Sequence, residues 1–334
     1  MRALEKPAAA EGAGAQLARW LGGINPLIFV IVALYILLAV LSDRFLTLNN
    51  QMNITRQVAV YLIIALGQTF VISSRGIDLS VGSMLGLCGA VVATQIADGV
   101  AVWLAILMGV ALGTALGALN GLIITRLNIS PLIATLGMLV ALRGATHLYY
   151  THLYNNYVVS RLPPDIVFLG QGFIGPVPMP AIIAAGVVLL AWYLFYSTRF
   201  GSYTTSIGSN EQACALSGIK VPRQKVLIYA FQGFCVGIAA AVLVGRLNGA
   251  SPVLGTGYEL HIIAAVVLGG TALFGGIGTI LGTVLGILTI GVVENGMVLI
   301  GADFHLQRVL IGILLIAAVA YQGYRRRKLG TAES

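Results

Sequence analysis

Residues 102–124, VWLAILMGVALGTALGALNGLII, contain no charged side chain. At about 1.5 Å of rise per residue, such a helix crosses the roughly 30 Å hydrocarbon core of a bilayer. Within it Gly109, Gly113, Gly117 and Gly121 recur every four residues and share one stripe of the helix. A stripe without side chains lets a second backbone approach closely, which is how helices associate in lipid. Gly278, Gly282 and Gly286 repeat the device, as do Gly82 and Gly86. These glycines are read as helix-packing positions.

The whole chain has the same character. Of 334 residues, 58% are hydrophobic and 9% charged, with 42 glycines and a mean hydropathy of +0.94. A soluble domain is roughly 45–50% apolar and about 25% charged. The composition excludes a water-soluble enzyme and, despite the net charge of +8, a nucleic-acid binder. The fold class is all-α: a polytopic membrane protein. Ten apolar segments qualify as spans: 27–41, 58–73, 79–96, 102–124, 131–149, 180–197, 226–245, 260–274, 279–300 and 306–323. The second and eighth are short, so eight full spans with broken or re-entrant pieces is the alternative. The segment 27–41 lies too far from the start, with no small-residue cleavage site after it, to be a signal peptide.

Basic residues orient the spans, because Lys and Arg concentrate in cytoplasmic loops. With ten spans and both termini cytoplasmic, thirteen of the 19 Lys and Arg fall inside, including the run Arg325-Arg326-Arg327-Lys328. Arg44, Arg56, Arg161, Arg246 and Arg308 fall outside, and Arg143 lies within a span. The resulting organisation is a cytoplasmic segment 1–26, a transmembrane domain 27–323 and a basic tail 324–334. Two long loops interrupt the domain, an external one at 151–179 and a cytoplasmic one at 198–224. The first carries Tyr154, Asn155, Asn156, Tyr157, Phe168 and Phe173.

No catalytic arrangement is visible: there is no Walker-A string, nucleophile elbow or metal-ligand pair at helical spacing. The three cysteines, Cys88, Cys214 and Cys235, form no disulfide framework. Any uphill transport must draw on an ion gradient or a partner. Ionisable groups near the membrane are few: Asp78, Arg143, Glu259, His261 and Glu294. Charges at membrane depth are functional candidates by default, so Asp78, Ser80, Ser83, Arg143, Glu294 and Asn295 are the candidates for lining a path. Arg143 also lies close enough to a span end to snorkel outward. Asp78 reads either as the N-cap of the third span or as part of a broken helix. Residues 76–86 align with 276–286 at five of eleven positions. If this is a duplication, the expected topology makes it parallel.

Three strings complete the reading. They are Gly76-Ile77-Asp78-Leu79-Ser80-Val81-Gly82; then Arg199-Phe200-Gly201 through Gly208-Ser209-Asn210-Glu211 to Leu216-Ser217-Gly218-Ile219; and Gly255-Thr256-Gly257-Tyr258-Glu259-Leu260 through Ala264 to Thr271. Together they resemble the permease subunits of sugar ABC importers of the ribose, xylose and galactose type, themselves similar to branched-chain amino-acid permeases. Departures are Arg75, Ala215, His261 and Ile277. The resemblance implies an importer permease fold in a bacterial inner membrane. It implies a cytoplasmic ATP-binding subunit holding ATP and Mg, a periplasmic sugar-binding protein and a second permease chain. The chain itself would hold no cofactor or metal and would not be an enzyme. The loop 199–220, with a short helix near 210–216, would dock on the ATPase through Arg199, Gly201, Gly208, Asn210, Glu211, Ser217 and Gly218. Bulk at Gly208 or Gly218, or reversed charge at Glu211, is then expected to uncouple ATP hydrolysis from transport without preventing insertion. The alternatives are a branched-chain amino-acid-type ABC permease, an ion-coupled secondary transporter and a non-transporting scaffold or receptor.

Overall fold

The computed structural model describes residues 25–154 and 158–330. Chain order runs α1 (Pro26–Leu41), α2 (Leu48–Ser73), α3 (Val81–Ala97), α4 (Val102–Arg126) and α5 (Pro131–Leu148), the last continued by a π-turn at Tyr149–Leu153. Then follow β1 (Val159–Ser160), α6 (Pro164–Gln171), β2 (Phe173–Ile174), β3 (Val177–Pro178) and α7 (Met179–Ser197). The second half comprises α8 (Arg199–Ser209), α9 (Glu211–Leu216), α10 (Val221–Leu247), β4 (Gly249–Ala250), α11 (Tyr258–Leu268), α12 (Ile280–Leu299) and α13 (Phe304–Gly330). Helix starts follow ordinary chemistry. Proline stands in the first turn of α1, α5, α6, α7 and α10, where its missing N–H is no loss. Asn25, Thr198, Asn210 and Thr279 accept capping bonds from the first turns of α1, α8, α9 and α12.

Helices α2, α4, α5 with its extension, α7, α10 and α12 are long and apolar enough to cross a membrane. Four shorter apolar helices accompany them: α1, α3, α11 and the His305–Ala320 part of α13. The expected short second span is instead a long helix, because the polar run 48–57 continues its helical backbone outward. The eighth is shorter than expected: α11 stops at Leu268, and Gly270 turns the chain at φ +94°. The expected basic tail is helical backbone as far as Gly330. The cytoplasmic segment, apart from its last two residues, lies outside the described residues, as do Asn155, Asn156 and Tyr157.

Helix α10 is the hub. It packs on α2, α3, α4 and α6. The α4 contact is backbone against backbone: a Cβ on Gly117 would strike the Tyr229 carbonyl, and one on Gly113 the Gly233 carbonyl. Gly121 lies against Val226 Cα and Gly109 against the Val92 side chain. On α12, Gly282 and Gly286 lie against the backbone of Gly269 and Ala265, whereas Gly278, expected on the same helix, lies in the turn before it, against the Ser73 side chain. Helices α2 and α10 cross antiparallel: Gly67 meets Gln232, while Tyr229 near the α10 start reaches Ile77 just past the α2 end.

The pairings around this crossing are symmetric. Helix α3 packs on α4 and α5 as α11 packs on α12 and α13, and α4 lies on α10 as α12 lies on α2. The internal repeat is therefore inverted, pairing α2–α5 with α10–α13, and not the parallel one expected from 76–86 and 276–286. Those strings look alike because both are glycine-rich entries to a helix at one end of the molecule, where Gly276 N donates to Ser73 O at 2.9 Å.

The 151–179 loop is tied down at the opposite end. Strand β1 pairs antiparallel with β4 (Val159↔Ala250, Ser160↔Gly249), and β2 with β3 (Phe173↔Pro178, Ile174↔Val177). Gln171 donates to Arg246 O at 2.9 Å, and Arg56 donates to Gln171 O at 2.9 Å with its guanidinium over the Phe173 ring. Gly170 of α6 lies against the backbone of Gly245 and Arg246.

The seam between α4 and α10 makes a direct prediction. Gly117→Leu forces the helices apart and should destabilise the protein by about 3 kcal/mol or more. Gly186→Leu, at a position facing open space, should leave thermal unfolding in detergent unchanged.

Candidate functional site

At the end of the molecule where α7 turns into α8, the chain makes an elbow. An aromatic cluster roots it in the core: buried Phe70 of α2 stacks on Phe200 (5.4 Å) and meets Phe195 (5.1 Å) and Phe231 (5.0 Å) edge-on. Gln224 of α10 donates to Phe200 O at 2.9 Å. Beyond the elbow, Ile207, Cys214 and Val221 form a small apolar core of their own. It holds α9 against α8 and α10.

The residues of 199–220 separate into two kinds. Gly201 and Gly208 are buried: a Cβ on the first would strike the Phe195 backbone, and one on the second the Ser73 carbonyl and the Gly276 nitrogen. Arg199, Asn210, Glu211, Ser217 and Gly218 are exposed. Asn210 caps α9 through Ala213 N (3.0 Å), and Glu211 forms a two-oxygen ion pair with Lys225 at 2.7 Å. Gly218 closes α9 at φ +83° with open space around it. The expectation that bulk at Gly208 leaves the fold intact is thereby corrected, because bulk there attacks packing, whereas Glu211 and Gly218 stand at the surface. The structure also brings this loop against the 74–76 and 274–277 turns, which the sequence spacing did not indicate.

The candidate path residues fall into three clusters. In the first, Asp78 Oδ1 accepts from Ser80 N (2.8 Å) and Ser80 Oγ (2.6 Å). Asn120 donates to Ser80 Oγ at 2.9 Å, and Ser83 Oγ donates to Ser80 O at 2.9 Å. All four side chains are buried. Asp78 thus stabilises the turn before α3 and does not cap that helix; the N-cap residue is Ser80, whose side chain makes no capping bond. Residues 76–80 are non-helical. Thr135 accepts from Leu79 N and donates to Ile77 O, both at 3.2 Å, and Tyr229 donates to Ile77 O. Irregular backbone is thus tolerated because protein groups surround it.

The second cluster is Arg143, which turns inward: Nη1 donates to Leu254 O at 2.9 Å and Pro252 O at 3.3 Å, bracing the turn before α11. Across this turn, Gly82 of α3 lies against Gly255 O and the Glu259 carboxylate.

The third joins α2, α11 and α12. Glu294 contacts His261 Nε2 at 2.9 Å and accepts from Gln57 at 2.7 Å. One residue further along α12, Asn295 and Asn50 exchange two bonds at 2.8 and 2.9 Å. Tyr61 stacks on His261 and meets Tyr258 edge-on. Gln57, Asn50 and Asn120 were missed by sequence reasoning. The first two sit in a polar run that reads as loop; Asn120, a lone amide within a span, was a usable signal.

A bundle with an inverted repeat, buried polar breaks between its halves and an elbow at one end has the form of a membrane transport protein. The comparisons give the family. Residues 50–319 match the family described as the branched-chain amino acid transport system, permease component, and the chain belongs to it. It is 44% identical to the ribose import permease protein of Bacillus subtilis (strain 168), covering 86% of this chain and 88% of the relative. It is 37% identical to the D-allose transport system permease protein of Escherichia coli (strain K12), covering 87% and 88%. Against the galactose/methyl galactoside import permease protein of the same strain it is 35% identical, covering 92% and 96%. No solved structure matches the chain.

The Asn50–Asn295 exchange is testable by a double-mutant cycle. Each alanine substitution leaves half of an amide pair unmatched and should cost about 1 kcal/mol. The double variant should cost clearly less than the sum when unfolding in detergent is measured.

Proposed function

We infer that the chain is the membrane-spanning permease subunit of a sugar importer in a bacterial inner membrane. The observation that carries this reading is the likeness, over 86–92% of the chain, to permeases named for import of ribose, allose and galactose. It favours a sugar or sugar-like polyol over a branched-chain amino acid as cargo.

The finer reading is as follows. The α8–α9 end faces the cytoplasm, both termini lie on that side and ten helices cross or enter the membrane. A partner subunit binds ATP and Mg there and receives α9 in a groove. A periplasmic binding protein delivers the cargo at the opposite end, where the 151–179 loop is fixed to α2 and α10. A second permease chain completes the pathway. Support for the orientation comes from the basic residues, thirteen of 19 of which then fall inside.

Motion of α9 has a physical route into the bundle. The small core around Ile207 and Cys214 makes α8, α9 and the start of α10 one unit. The Phe70–Phe200–Phe231 cluster couples that unit to α2. Cargo passage then requires the breaks at 76–80 and 251–257 to shift relative to each other, since the turn at 254–255 packs on α3, the helix that the first break introduces.

Reconstitution decides the reading. Proteoliposomes containing this chain, its ATP-binding subunit and its binding protein should take up sugar only with ATP on the cytoplasmic side. Uptake by the chain alone, driven by an ion gradient, would instead make it a secondary transporter. In the complete system Glu211→Lys and Gly218→Val should each lower uptake by about ten-fold, the loss expected when a charge pair or a tight turn at a docking surface is removed. The amount of protein in the membrane should stay unchanged.

A further inference from the structure

Arg75 makes no side-chain hydrogen bond or ion pair described so far, yet it borders α8 and α9 at their end of the molecule. It is the one exposed residue between 71 and 80. Its backbone is left-handed, at φ +65°, a conformation that disfavours any residue with a Cβ. Glycine would relieve it, and Arg75 is moreover pinned there by Gly275, whose Cα side approaches the Arg75 Cβ. The side chain borders two adjoining hollows. One, an open groove of about 760 Å³, is shared with Asn210, the cap of α9, and with Glu211 and Ala215 on that helix; the other is shared with Gly208 and Phe274.

The charge around it is one-sided. Arg75, Arg126, Arg199, Lys220 and Arg223 are exposed at this end, and Lys225 lies beside them. The exposed carboxylate among the described residues here is Glu211, both oxygens of which are engaged by Lys225, while Asp78 is buried beneath the turn. Arg75, Arg199, Lys220 and Arg223 form no ion pair among the described residues. A surface of this kind is complementary to an acidic one, and a guanidinium fork is suited to a carboxylate held in a defined geometry.

We propose that Arg75 is a second docking point for the ATP-binding subunit, engaging a carboxylate that the subunit inserts into the groove beside α9. This rests on the reading of α8–α9 as the coupling elbow. The backbone strain at Arg75 then has a purpose: it holds a cation at a place in the turn where the local conformation alone would favour glycine. A docking surface with two separated points, α9 and Arg75, fixes the angle of the partner as well as its attachment. The turn that carries Arg75 leads directly into the Asp78–Ser80 break, so the partner would contact the pathway element without an intervening helix.

The test is binding of the purified ATP-binding subunit to the full-length permease in detergent, over a salt series. Arg75→Lys should bind within a few-fold of the unaltered chain, and Arg75→Glu should bind about ten-fold or more weakly with a flatter salt dependence. Arg75→Gly is the decisive variant. It should unfold at the same or a higher temperature, since it relieves the left-handed backbone, and still lose about ten-fold in binding. Equal binding by the unaltered chain, Arg75→Gly and Arg75→Glu would overturn the proposal while leaving the importer reading intact. No binding by the unaltered chain would overturn the importer reading itself. If Arg75→Glu binds normally but loses a dependence of uptake on phosphatidylglycerol in the vesicles, the ligand is an anionic lipid headgroup and the proposal fails.

Discussion

Everything in this protein hangs on the contact between α4 and α10, where two backbones touch with no side chains between them. In water the burial of apolar side chains would hold such a pair together. In lipid that force is largely absent, and close van der Waals contact between small-residue faces takes its place. Gly113 and Gly117 on one helix meet Gly233 and the Tyr229 carbonyl on the other. With α10 so held, its remaining faces receive α2, α3 and α6, and the second half of the chain can assemble around the same axis in inverted order.

The seam also explains where polar groups are allowed. Among the described residues, two of the breaks in the close-packed spans lie where the short helices α3 and α11 start within the bundle. Every irregular stretch there finds partners in neighbouring helices: Thr135 and Tyr229 for residues 77–79, Arg143 for residues 252–254. Polar side chains thus serve chiefly to complete broken backbone. The His261–Glu294–Gln57 group is different in kind, because it links side chains of three helices. A rearrangement of α11 against α2 and α12 would have to break it.

Much of the fold was legible because its strongest signals are one-dimensional. Long apolar runs and four-residue glycine spacing need no tertiary information, and residues 102–124 yielded both a span and its packing face. The failures occurred where the signal depends on surroundings. The run 48–57 reads as loop because Asn50 and Gln57 are polar, yet both are partnered inside the protein by Asn295 and Glu294, more than 200 residues away. The inverted repeat was hidden because glycine-rich helix entries resemble each other whatever their descent. For the site, strings at 76–82 and 199–219 were visible, whereas their meeting at Ser73, Gly208 and Gly276 was not. No local pattern encodes which turn lies beside which.

Helix α10 begins beside α9 and ends at the β1–β4 pair, without a break over 27 residues. At about 1.5 Å per residue it is a rod roughly 40 Å long. Because its middle is clamped by the glycine contacts with α4, the rod has a fulcrum, and its two ends must swing in opposite senses. The arms on either side of the contacts at 226–237 are about 15 Å and 25 Å, so a tilt of about 5° would displace the α9 end by roughly 1 Å and the far end by roughly 2 Å. The same feature that holds the bundle together therefore gives a tilting α10 the geometry of a lever, with its longer arm toward the clasped loop.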